Sequence, residues 1–156
     1  MAYRSSFDDL HAGQHFEHWP GRTINEYDDT LLGLLSMNQH PVHHDEHFAR
    51  ATQHGRRLVA GPTVISIVIG MTQADVGACA LETLSYSNIR HEGPVFHGDT
   101  IYAESTILEK QDLVEGRGVV IVATKARNQR QEIVLSLERQ IVVPRRGGAS
   151  KYKDSA

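Results

Sequence analysis

Three observations in the 156-residue sequence predict an α+β fold, with one antiparallel sheet packed around one helix. Residues 63–75 carry Val64, Ile65, Ile67, Val68, Ile69 and Met71, and a helix that is apolar almost all round belongs inside a protein. From residue 84 the composition changes: the runs 84–96, 100–109, 118–125 and 133–143 are rich in Val, Ile, Thr and Tyr, as strands are. Their breaks, Gly93-Pro94, Gly98-Asp99, Glu115-Gly116 and Asn128-Gln129, are short turn signals, so the strands are predicted to form an antiparallel meander. A buried helix followed by such strands is satisfied most simply by a curved sheet wrapping the helix. No repeat or composition shift marks a second domain, so residues 1–156 read as one domain, ordered over about 13–144 and polar in the tail 145–156.

The N-terminal third supplies the rest. Residues 1–12 are polar with apolar anchors at Tyr3, Phe7 and Leu10, and Gly13 turns the chain into an extended run over 14–19, anchored by Phe16 and Trp19. Pro20-Gly21 reads as a second turn and Arg22-Thr23-Ile24 as a short β segment, so one or two strands are expected at the sheet margin. Asn25 can cap a helix whose first turn holds Glu26, Asp28 and Asp29, carboxylates that suit the positive end of a helix dipole. Leu31, Leu32, Leu34 and Leu35 form its apolar face. It is expected to end near Met37, because Pro41 forces the residue before it out of the α region. Asp45 caps a short helix through Phe48, Ala49 and Ala51, closed by Gly55. Gly61-Pro62 then starts the apolar helix, and Gly70 within it suggests that another backbone comes close.

Charge and composition exclude several roles. A net charge of -3 gives no global field to draw nucleic acid or an anionic membrane. No stretch reaches the roughly 18 apolar residues of a membrane helix, and the first residues carry no apolar leader. The single cysteine, Cys79, excludes an intrachain disulfide and fits a reducing compartment, so a cytoplasmic protein is expected. Cys79 itself reads as a small buried apolar residue.

The stretch with the most chemistry is Asn38-Gln39-His40-Pro41-Val42-His43-His44, running into Asp45; with His47, four histidines fall within eight positions. Histidine exchanges protons readily near neutral pH, so this stretch reads as an active-site loop beginning where a helix stops. Metal binding is not expected, because Pro41 breaks the loop and the His-Glu-x-x-His pattern is missing. Arg56, Arg57 and Arg90 are candidates for a substrate carboxylate or phosphate, and Arg57 is assigned to the site. His91 and His97 read as ordinary half-exposed sheet residues, and Asp99 as the stabiliser of the Gly98-Asp99 turn.

The run Ser36-Met37-Asn38-Gln39-His40-Pro41-Val42-His43, with Ala49 after five more residues, resembles the hydratase-2 motif of MaoC-like dehydratases, S/T-G-D-x-N-P-L/I-H-x5-A/S. Pro94-Val95-Phe96-His97-Gly98-Asp99-Thr100 is similar to the family's P-V-x-x-G-D-T, and Gly61 falls where the family has a glycine before its central helix. The resemblance implies a hot-dog fold whose subunits pair their sheets in a homodimer or higher homo-oligomer. It also implies reversible syn hydration of an enoyl thioester of coenzyme A, with acyl-CoA as the partner and no further cofactor. His43 would be the general acid/base, and the Gly61 N–H, with Pro62 beside it, would meet the thioester oxygen at a helix N-terminus. Two departures from the motif bear on its chemistry: Asn38 stands at the aspartate and His40 at the asparagine. An amide is no base, so Asn38 would orient water or substrate, and the second proton carrier would be His40 or Asp45. The asparagine resembles a branch acting on methyl-branched dicarboxylic acyl-CoA such as mesaconyl-, itaconyl- or β-methylmalyl-CoA. Two alternatives stay open: an acyl-CoA-binding module without turnover, and a hot-dog thioesterase that would need Asp45 or Glu46 to activate water.

Overall fold

A computed structural model of the chain describes residues 6–113 and 116–147. The anchor expected at Tyr3, the Glu115 half of one turn and the far end of the polar tail lie outside them. Strand β1 (His15–Thr23) is followed by helices α1 (Glu26–Ser36), α2 (Pro41–His44), α3 (Glu46–Arg50) and α4 (Gly61–Met71), then by β2 (Glu82–His91), β3 (Thr100–Leu113), β4 (Arg117–Arg127) and β5 (Ile133–Pro144). The strands form one antiparallel sheet in the order β1-β3-β4-β5-β2. The fold is α+β, as expected.

β3 to β5 are a meander, but β2 is not part of it: it joins the far edge beside β5. Residues 92–99, expected to turn a hairpin, instead cross the sheet from the β2 edge to β3, the strand beside the opposite edge strand β1. They are held on the way by the Val59 N–H to Val95 carbonyl bond (2.9 Å) and the Leu58–Phe96 bridge, beside the start of α4.

α4 lies on one face of this sheet. Val64 and Val68 pack with Ile24, Ile101, Ala126 and Leu137, because alternate residues of β3 to β5 point at the helix. A second cluster, with Phe7, Leu10 and Val76 over Ile107, Val122 and Ile141, fills the other end. Cys79 belongs to it, and burial pushes its thiol pKa up. One polar chain crosses this core. His18 Nδ1 donates to Asp75 Oδ2 (2.7 Å), its Nε2 meets Ser105 Oγ (2.8 Å), and Ser105 meets Thr124 Oγ1 (2.8 Å). His18, Ser105 and Thr124 are all buried.

Several local expectations change. β1 runs straight through Pro20-Gly21 with a register irregularity between His18 and Arg22. An edge strand tolerates proline there, so no turn forms. Trp19 is 81% exposed, so it is not the anchor expected of it. α1 starts as expected, with Asn25 Oδ1 accepting the Asp28 N–H (3.0 Å) and Asp28 Oδ2 accepting the Asn25 N–H (3.1 Å). It ends on Met37 in the left-handed conformation (φ 57). Its leucines, however, do not face the core: Leu34 and Leu35 are each 73% exposed, while Asp29 and Gly33 are buried. α3 stops at Arg50, well before Gly55. α4 meets the sheet on one side only, so Ile65, Ile67 and Ile69 are half-buried, and among the described residues no other segment comes within 4 Å of where a Cβ on Gly70 would stand. An apolar groove of about 270 Å³ runs between α1 and α4, lined by Leu31, Leu32, Leu35 and Ile67 with Thr63 at one end of the helix. Among the described residues no helix is long and apolar enough to cross a membrane.

Candidate active site

The stretch predicted as a loop folds into α2, a single helical turn. Pro41 stands at its start, and His40 caps it by accepting the Val42 N–H on Nδ1 (3.2 Å). The Leu58 N–H then bonds to the Val42 carbonyl (3.2 Å), which brings the Leu58 carbonyl 2.9 Å from His43 Nδ1. A carbonyl only accepts, so Nδ1 carries the hydrogen and the neutral ring keeps its lone pair on Nε2. His43 is half-buried and is therefore held as a base with one defined basic atom.

Asn38 is oriented by the same logic. Its Oδ1 accepts the His40 N–H (3.2 Å), so its NH2 group is left to donate. His44 Nε2 donates to the Asn38 carbonyl (2.8 Å). That ring fits because residue 33 is glycine: a Cβ there would stand 2.5 Å from His44 Cε1. The His40 and His43 ring centroids are 5.8 Å apart.

Asp45 Oδ1 accepts the Phe48 N–H (2.9 Å) and starts α3, which is the cap expected of it. Glu46 pairs with Arg50 (3.1 Å) and Arg57 (3.1 Å). Arg57 also pairs with Glu26 (2.6 Å), so the arginine assigned to substrate meets the protein's own carboxylates. Those hydrogen bonds, Glu26 first and Glu46 after it, raise the Arg57 pKa. The Arg56 guanidinium lies 3.7 Å from the Phe96 ring centroid. Among the described residues no three His, Cys, Asp or Glu side chains converge on a point that could hold a metal ion.

Gly61 is the first residue of α4. The Ala60 carbonyl accepts from Thr63 N–H (3.0 Å) and Val64 N–H (3.2 Å), pointing into the helix. In a trans peptide the Gly61 N–H points the opposite way, out of the helix end. Pro62 beside it is exposed. What fixes this peptide is Asp29, which is 1% exposed: its Oδ1 accepts from the Ala60 N–H (3.0 Å) and the Thr63 hydroxyl (2.7 Å), and its Oδ2 from His97 Nε2 (3.2 Å). In the sequence Asp29 is one of three first-turn carboxylates and His97 has the look of an ordinary sheet residue. The signal that would have found Asp29 is its i, i+4 spacing with Gly33, which marks the buried stripe of α1. His91 was missed in the same way, for its ring stands over Gly61: a Cβ on that glycine would lie 2.7 Å from His91 Nε2.

Compared with known proteins, the chain matches the family profile described as MaoC like domain over residues 9–129. It is 33% identical over 145 residues to a mesaconyl-CoA hydratase of Cereibacter sphaeroides, covering 92% of this chain and 42% of that protein, so the chain spans less than half the length of this relative. It is 29% identical over 147 residues to an (R)-specific enoyl-CoA hydratase of Rhodospirillum rubrum, covering 90% of this chain and 93% of that protein. Its backbone superposes with a TM-score of 0.83 on a Mycobacterium tuberculosis protein described as a double hot-dog fold, at 20% identity, over 98% of this chain and 47% of that one. This last likeness speaks for the fold alone.

Proposed function

Because the chain belongs to the MaoC-like domain family, we propose that it adds or removes water across the 2,3 double bond of an enoyl-coenzyme A thioester. The observation that carries this reading is the bond from His43 Nδ1 to the Leu58 carbonyl, which leaves Nε2 as the proton acceptor. In hydration, Asn38 donates its NH2 to the water oxygen while His43 Nε2 takes a proton as that oxygen bonds to C3. The displaced electron pair moves onto the thioester oxygen, which faces the Gly61 N–H at the positive end of α4. The protonated His43 returns its proton to C2 on the same face, so H and OH add syn and the imidazole is regenerated. His40 and Asp45, each already accepting a backbone N–H, position the turn. No cofactor is needed beyond the coenzyme A of the substrate.

Similarity to a mesaconyl-CoA hydratase supports a methyl-branched dicarboxylic acyl group. Its distal carboxylate would meet Arg56 or Arg90, which have no carboxylate partner among the described residues, in place of Arg57. The thioesterase reading is weaker, since Asp45 caps a helix and Glu46 is doubly paired. Loss of enoyl ultraviolet absorbance from crotonyl-, mesaconyl- and itaconyl-CoA tests the reaction, with the branched dicarboxylic substrate expected to be fastest. Asn38→Asp supplies a second base, and its crotonyl-CoA rate is expected to rise. Inertness of both proteins on every enoyl-CoA, with coenzyme A binding retained, would identify a binding module instead.

A second copy of the chain is proposed to pair along β2. This edge strand is exposed along nearly its whole length and carries Leu84, Tyr86 and Ile89 in the open, and an uncovered apolar edge is a template for pairing. Leu84→Lys combined with Ile89→Lys is expected to convert a dimer to a monomer in sedimentation velocity; an unchanged sedimentation coefficient would move the interface elsewhere. The work is proposed to take place in the cytoplasm, a reducing compartment that suits the single buried thiol of Cys79.

A further inference from the structure

We propose that His91 gives a second hydrogen bond to the thioester oxygen that the Gly61 N–H receives, so that the oxygen is held from two sides. This rests on the hydration reading above. β2 ends at His91, where pairing with Leu135 of β5 brings the ring to the N-terminus of α4. A Cβ on Gly61 would lie 2.7 Å from His91 Nε2, 2.9 Å from Cε1 and 3.5 Å from Cδ2, so the ring meets the glycine edge-on with the nitrogen leading. In a helix the Cα–Cβ direction tilts toward the N-terminus. The Gly61 N–H points the same way, and the ring edge and the N–H therefore open on one space. Standard bond lengths put Nε2 no more than about 5 Å from the Gly61 nitrogen, a separation at which two donors can share one oxygen about 2.9 Å from each.

A second observation concerns its availability. Among the described residues the rings of His11, His47 and His91 have no hydrogen-bond partner, and of these three it is His91 that stands against Gly61, whereas the rings of His18, His43, His44 and His97 are each engaged. Neither ring nitrogen is committed, so in the Nε2–H tautomer the ring can donate to a ligand. His91 keeps its proton throughout the reaction. As the water oxygen bonds to C3 and the π pair moves onto the thioester oxygen, the bond from Nε2–H strengthens with the growing charge, and it relaxes when C2 is protonated. Glycine at 61 then has a specific reason: any side chain there would displace the second donor.

The test uses His91→Ala and His91→Gln, the latter keeping an N–H donor near the position of Nε2, with thermal melting as the check on folding. His91→Ala is expected to lower kcat on the best enoyl-CoA about 100-fold with a much smaller change in KM, and His91→Gln to restore most of it. In a Gly61→Ala background, His91→Ala is expected to add little, because both changes remove the same contact. Infrared difference spectroscopy on enoyl-CoA labelled with 13C at the thioester carbonyl reads the polarisation without turnover. Its shift to lower wavenumber is expected in the parent and His91→Gln and lost in His91→Ala. If the parent binds enoyl-CoA without hydrating it, the hydration reading fails while this shift still decides the His91 contact. Parent-like kcat and carbonyl shift in His91→Ala, equal impairment of both variants, or a parent that binds no enoyl-CoA would overturn the proposal.

Discussion

His43→Ala is expected to lower kcat for enoyl-CoA hydration about 1,000-fold, since the variant has no group to take the proton from water or return it to C2. The protein should remain folded. Among the described residues the ring's one hydrogen bond is to the Leu58 carbonyl, on a half-buried side chain. Losing one such bond costs about 1 kcal/mol, and water can take its place. The comparison is kcat from the loss of enoyl absorbance, set beside the thermal midpoint of each protein. A variant that melts like the parent and turns over like the parent would remove His43 from the mechanism.

Asp29→Leu is expected to destabilise the fold by about 3 kcal/mol, the range for breaking a buried polar network on one side. The Ala60 N–H, the Thr63 hydroxyl and His97 Nε2 all lose their acceptor at a position that is 1% exposed. Asp29→Asn should be much milder. Its amide oxygen can still accept from Ala60 and Thr63, and its NH2 can donate to His97 once that imidazole changes tautomer. Urea midpoints at constant m-value measure both. Equal midpoints for Asp29→Leu and the parent would show that the network carries no stability. Activity should fall more than stability in any variant that still folds, because the Ala60–Gly61 peptide is what Asp29 holds.

The fold was legible wherever the signal is local. Apolar residues on every side of 63–71 identify the helix that the sheet packs on, the caps at Asn25 and Asp45 form the bonds their side chains dictate, and alternation in β3 reports one buried face. The edge that β2 joins was not legible. Gly93-Pro94 and Gly98-Asp99 have the composition of a hairpin turn, and only the contacts of Val59 and Leu58 with residues 95 and 96 show a crossing segment. The rotation of α1 was misread for a related reason: four leucines describe an apolar stripe, but not whether this chain covers it. In the candidate site, the local motif points to Asn38 and His43, which the structure holds in one hydrogen-bonded turn. Asp29, His91 and His97 are placed by contacts distant in sequence, which no local pattern records, and Arg57 is taken up by Glu26 and Glu46 in the same way.

The polar run from half-buried Asp75 through buried His18 and Ser105 to Thr124 has a consequence for how the sheet assembles. Ser105 sits opposite Thr124 across β3 and β4, and His18 sits opposite Ala103 across β1 and β3. Shifting β3 by one residue against either neighbour would turn Ser105 to the other face, leaving polar groups in the core without partners at about 1–3 kcal/mol each. A two-residue slip keeps every side chain on its own face, and apolar contacts forgive it, since one apolar residue takes another's place at small loss. The four polar groups do not, and they act as a proof-reading device that admits a single alignment of three strands.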